Sequence, residues 1–114
     1  MKANKFLFVM ALIYFSPVNA QQEKISPQNP SMQRQAELHN LLIQDCGSCH
    51  GMTMKGGLGP ALTPDVLKLK SRKMIEVTIA NGRAGTPMPP WNKILTTEEI
   101  TWMVDTLYAG VKQQ

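Results

Sequence analysis

The chain is short of almost everything that usually braces a small exported domain. It holds two cysteines, Cys46 and Cys49, separated by two residues. A disulfide between them would close too short a loop to stabilise a fold by much. Two thiols and the adjoining imidazole leave a zinc ion without its fourth ligand. Aromatic residues are scarce, at 6 % of the chain, and none interleave with the basic side chains, which excludes the usual nucleic-acid surface. No stretch alternates apolar with polar residues as a half-buried strand does. Nothing repeats internally. Only one long apolar run occurs, Phe6 to Phe15 (FLFVMALIYF), far short of the roughly 20 residues that cross a bilayer.

That run has its own meaning. Lys2 and Lys5 precede it, and Ser16-Pro17-Val18-Asn19-Ala20 follows with a helix-breaking proline and small residues. This is the pattern of a secretory signal, with cleavage expected after Ala20. The product is then exported, to the periplasm in a bacterium, with no stable membrane insertion. Residues 21–31 (QQEKISPQNPS) are polar, carry two prolines and are expected to be a disordered leader. Residues 32–114 make a single small domain. A chain of this size buries only about 60–65 % of its unfolded surface and needs a staple or cofactor. Losing Lys2 and Lys5 leaves ten basic side chains against eight acidic ones. Seven of the ten fall between residues 53 and 93 (Lys55, Lys68, Lys70, Arg72, Lys73, Arg83, Lys93), against only Asp65 and Glu76. Such a lopsided field steers association with an acidic partner.

The domain reads as all-α with long loops. Leu38, Leu41, Leu42 and Asp45 recur at helical spacing up to Cys46. Thr63-Pro64-Asp65 starts a short helix of two turns. Ser71 caps another through Met74, Val77 and Thr78, stopped at Asn81-Gly82. Thr96 and Glu99 form a capping box ahead of the stripe Ile100, Met103, Val104, Leu107, Tyr108. Residues 51–60 are glycine-rich and 83–93 (RAGTPMPPWNK) proline-rich, so both are irregular. Loops this long are unusual in a helical domain unless they serve a ligand.

Cys46-Gly47-Ser48-Cys49-His50 is the signal for c-type haem attachment. The two-residue spacer lets each thiol meet a vinyl group on neighbouring pyrroles, and His50 then lies under the iron as its proximal ligand. A thioredoxin-like redox pair needs a strand–helix setting, which is missing. For the sixth ligand, Met52 and Met54 follow His50 too closely to reach the opposite face. Met32 lies in or beside the leader, and Met74 and Met103 fall on helical stripes that favour the core. Met88 remains, with prolines on both sides to reduce the entropy lost on holding its thioether. His39 sits about two turns before Cys46 on the same helix and cannot reach that face.

CGSCHG, then GGLGPAL, then GTPMPPW, then a capped last helix is similar to the class I cytochromes c over nearly all of residues 32–110. The resemblance implies N- and C-terminal helices that cross, long loops around one covalent haem c, and a Pro60 carbonyl that accepts the second ring N–H of His50. The longer run GMTMKGGLGPALTP…NGRAGTPMPPW resembles a narrower group, the NirC-like cytochromes of c-55X type associated with cytochrome cd nitrite reductase. It implies a single-electron carrier rather than an enzyme, with that reductase as its acidic partner. The alternatives are a redox partner in maturation of the reductase's special haem, or a ligand-binding haem sensor. The class usually places a glycine and an aromatic where Leu38 and Leu42 stand, and an aromatic where Thr106 stands. The helix crossing is therefore expected to take its bulk from Trp102 or Tyr108.

Overall fold

The computed structural model describes residues 29–113. The expected signal segment, residues 21–28 of the expected leader and Gln114 lie outside the described residues. Among the described residues there are five α-helices, one π-helical turn and no strand. None of these helices is long and apolar enough to cross a membrane.

Helix α1 (Met32–Leu41) begins at Ser31, whose hydroxyl accepts the Arg34 N–H. It passes without a break into a wider π-helical turn, Leu42–Cys46, closed by the Gly47 N–H on the Leu42 carbonyl. Helix α2 (Gly47–His50) follows directly. The extra residue in that turn re-phases the chain between fully buried Leu42 and the Cys46–His50 segment. No glycine or proline marks it, so spacing alone reads one plain helix there.

Helix α3 (Pro64–Leu67) is one turn rather than two, and Thr63 makes no side-chain cap. It carries Leu67 into the core. Helix α4 (Arg72–Asn81) is capped by Ser71, which accepts the Met74 N–H. Its buried residues are Ile75 and Ile79. Met74, expected in the core, is 46 % exposed, and Val77 is similar. Ile75 and Ile79, one turn apart, take the only stripe this short helix can present inward, which rotates their neighbours out.

Helix α5 (Thr97–Ala109) touches α1, α3 and α4 and supplies the centre of the core. Ile100, Met103, Val104 and Leu107 bury against Leu38, Leu42, Leu67, Ile75, Ile79 and Leu95 as one cluster. Tyr108, one of the two side chains expected to give the α1 crossing its bulk, packs partly buried against the core, with its polar end tied down. Its hydroxyl donates to the Lys70 carbonyl at 2.8 Å, and the Arg72 guanidinium lies 4.4 Å from its ring centre. A tyrosine needs an acceptor for its O–H and draws a cation to its ring face; Lys70 in the α3–α4 link supplies the first and Arg72 at the start of α4 the second. Trp102 packs partly buried against the core.

The α1–α5 crossing is also tied electrostatically. Arg34 Nε donates to Glu99 Oε1 at 2.6 Å, while Glu99 Oε2 accepts the Thr96 N–H at 2.9 Å. The Arg34 hydrogen bond holds the Glu99 carboxyl below the usual carboxylate range; partial burial opposes it, and the Thr96 N–H adds to it. A carboxyl lowered in the folded state stabilises above its unfolded pKa of about 4.3, and the gain disappears as pH falls through the lower folded value. Glu99→Gln keeps a capping residue but removes the charge. Urea midpoints of the variant are expected to fall below wild type at pH 7 and to converge with it in acid. Equal midpoints at both pH values would show that the pair contributes nothing.

Candidate haem-binding site

The π-turn and α2 set out three donors in five residues. Cys46 and Cys49 are both free thiols. Cys46 packs against the core, and burial, with a smaller push from Asp45, raises its pKa to about 11. It stays a neutral thiol at pH 7. Cys49 is exposed. The Ser48 hydroxyl donates to the Asp45 carbonyl at 2.7 Å and braces the turn.

The loop after α2 folds back to cover the carbonyls that the helix leaves unpaired. Gly56 N–H donates to His50 O at 2.7 Å, and Gly59 N–H to Cys49 O at 2.8 Å. His50 Nδ1 then lies 2.7 Å from the Pro60 carbonyl oxygen. A carbonyl only accepts, so Nδ1 carries the proton and the lone pair is on Nε2. Gly59 is required beside the ring. A Cβ there would stand 2.7 Å from both Cε1 and Nδ1 of His50. Buried Met54 takes a left-handed φ of 59°, unusual for a residue with a side chain. Its carbonyl accepts the Leu62 N–H at 2.8 Å.

Met88 stands on the other long loop, between α4 and α5, half-buried against the core with Trp91. Thr86 is the hub of its turn. The Thr86 hydroxyl donates to Arg83 O at 2.8 Å and accepts the Met88 N–H at 3.3 Å. Of the other methionines, Met103 is fully buried, Met54 nearly so, Met52 and Met74 half-exposed, and Met32 exposed. His39 is half-buried on α1.

Spacing pointed to Cys46, Cys49, His50 and Met88; it did not point to Gly59 or Thr86. Gly59 had a signal in its proline neighbour. Thr86 had one in its place two residues before Met88, where a hydroxyl closes a turn.

The donors fit a haem. No three His, Cys, Asp or Glu side chains among the described residues converge on a bare ion. What is present instead is a pair of unbridged thiols, an imidazole with Nε2 to spare and a half-buried thioether, a set that matches a porphyrin held through sulfur.

Comparison with known proteins gives the class. The family model for cytochrome C oxidase, cbb3-type, subunit III matches residues 33–105. Cytochrome c55X of Pseudomonas aeruginosa is 49 % identical over 86 residues, 75 % of this chain and 72 % of that protein. Cytochrome c55X of Stutzerimonas stutzeri is 52 % identical over 81 residues, 71 % of this chain and 72 % of that protein. Among solved structures, a c-type cytochrome NirC superposes with TM-score 0.68 at 51 % identity, covering 70 % of this chain and 94 % of that one. The dihydro-heme d1 dehydrogenase NirN, in complex with DHE, superposes with TM-score 0.58 at 29 % identity, over 66 % of this chain and 16 % of that one. The chain belongs to the class I cytochromes c, the helical haem c electron carriers. Within that class it is NirC-like, related to the c55X cytochromes.

Proposed function

We propose that the exported chain, freed of residues 1–20, holds one haem c through Cys46 and Cys49, with His50 and Met88 as the iron ligands, and passes single electrons to cytochrome cd nitrite reductase in the periplasm during denitrification. The observation that carries this reading is the 2.7 Å contact between His50 Nδ1 and Pro60 O beside two free thiols. When bound, the iron supplies a one-electron couple. Cys46 and Cys49 would hold the group as thioethers, each S–H and one vinyl π bond giving way to one S–C and one C–H bond. Pro60 holds the His50 ring by its Nδ1 proton, which fixes the tautomer and orients Nε2. Met88 would fill the remaining iron position and so keep substrates off, which supports a carrier rather than an enzyme. A thioether in that place raises the reduction potential relative to two nitrogen ligands.

The surface favours an acidic partner. Lys68, Arg72 and Lys73 are each paired, to Asp65, Asp105 and Glu76. Lys55, on the loop after α2, and Arg83 and Lys93, on the loop that carries Met88, make no ion pair among the described residues. Unpaired cations keep their field for a docking protein and orient it loosely enough for turnover. Stopped-flow oxidation of the reduced protein by purified nitrite reductase, repeated across ionic strengths, tests the proposal. Fast transfer that slows as salt rises supports the donor role.

The likeness to dihydro-heme d1 dehydrogenase favours a second reading, redox partner in maturation of the reductase's special haem. Negligible transfer to the finished reductase would move the assignment there.

A further inference from the structure

We propose that Gly82 is the positioning residue for the Met88 sulfur: the bare backbone at the end of α4 is what lets residues 88–90 close to ligating reach. The proposal rests on Met88 being the sixth ligand. Gly82 has φ 66° and ψ −165°, a region open to glycine alone. A Cβ built on it would lie 2.6 Å from Met88 O, 2.6 Å from the Pro89 carbonyl carbon and 2.7 Å from Pro90 N. All three are backbone atoms, so no rotamer change relieves the contact. The rings of Pro89 and Pro90 fix φ on both residues and leave that backbone little freedom to yield.

The approach is held from both sides. Arg83 N–H donates to Met88 O at 3.2 Å, Trp91 N–H to Ile79 O at 3.1 Å and Asn92 N–H to Ala80 O at 3.1 Å. Asn92 Nδ2 also donates to Asn81 Oδ1 at 3.3 Å. The last carbonyls of α4, which a helix leaves unpaired, are therefore capped by the Met88 loop itself. The helix end and the loop make one clamp, and Gly82 sits at its closest point. A side chain there has to push Met88–Pro90 outward and carry the sulfur with it.

The fold supplies its own control. Gly85 has φ 74° but meets nothing within 4 Å of a built Cβ. Gly85→Ala imposes left-handed backbone strain three residues from Met88 without the steric contact; Gly82→Ala imposes both. The holoproteins are compared by the red charge-transfer band of a thioether–ferric bond, the midpoint potential and carbon monoxide binding to the ferrous form. Gly82→Ala is expected to lose the band, drop in potential and admit carbon monoxide, with Gly85→Ala like wild type in all three. Retention of the band in Gly82→Ala, or its equal loss in Gly85→Ala, overturns the proposal. A double variant, Gly82→Ala with Pro90→Gly, frees the backbone that the Cβ strikes and is expected to recover the band. It also decides the case where Gly82→Ala gives no holoprotein, because a double variant that lacks the band assigns the defect to backbone strain and sinks the idea. Met88→Ala is measured alongside. If that variant keeps the band, the ligand reading itself is wrong, whatever the glycine variants show.

Discussion

Met88→Ala is expected to leave haem covalently attached while lowering the reduction potential and opening the iron to carbon monoxide. Attachment survives because the two sulfur bonds would belong to the π-turn and α2, apart from the loop that carries Met88. The potential falls because a thioether favours ferrous over ferric iron; each tenfold of that preference lost lowers a one-electron potential by about 59 mV. The variant also loses packing, since Met88 lies half-buried against the core with Trp91. Truncating a methionine in a core costs about 2–5 kcal/mol, and a half-buried one falls at the lower end. Titration with carbon monoxide and a redox titration check both effects. A spectrum and potential equal to those of wild type would remove Met88 from the site.

Cys49→Ala, expressed with export and haem attachment intact, is expected to give little or no holoprotein. The reason lies in the distribution of the core. Its buried residues come mainly from α1, the π-turn, α4 and α5. The two long loops, residues 51–63 and 82–96, add only Met54 and Leu95 to it. Such loops close around the cofactor rather than on each other, so a chain that fails to capture haem loses its organising centre and is expected to be largely unfolded. Binding energy of this kind is folding energy. Absorbance of the purified fraction and its far-ultraviolet circular dichroism test this. Holoprotein at ordinary yield would show that the second thioether is dispensable.

Helix α5 was legible because its signals are local. The capping box lies within four residues, with Thr96 Oγ1 accepting the Glu99 N–H at 3.2 Å, and the apolar stripe follows at once. The Cys-x-x-Cys-His run is legible for the same reason, since its chemistry sits in consecutive residues. What spacing could not show depends on contacts far apart in the chain. The outward turn of Met74 follows from which face α5 covers. Tyr108 turns to Lys70 and Arg72, 38 and 36 positions earlier, because they satisfy its hydroxyl and its ring together. Gly82 announces itself only as a helix stop. Its contact with Met88, Pro89 and Pro90 exists only once the loop has folded back. The π-turn before Cys46 has no residue signature, because Leu42 to Cys46 would suit an ordinary helix equally well.

Iron porphyrin joined to this polypeptide through sulfur is what the ligand roles, the folding argument and the carrier function all require. The intact mass of the exported protein, taken with its visible absorption, addresses that most directly. The expected mass is that of the processed chain plus one haem, with the absorption of a six-coordinate c-type cytochrome. A mass equal to the amino acids alone, in a colourless sample, would contradict it.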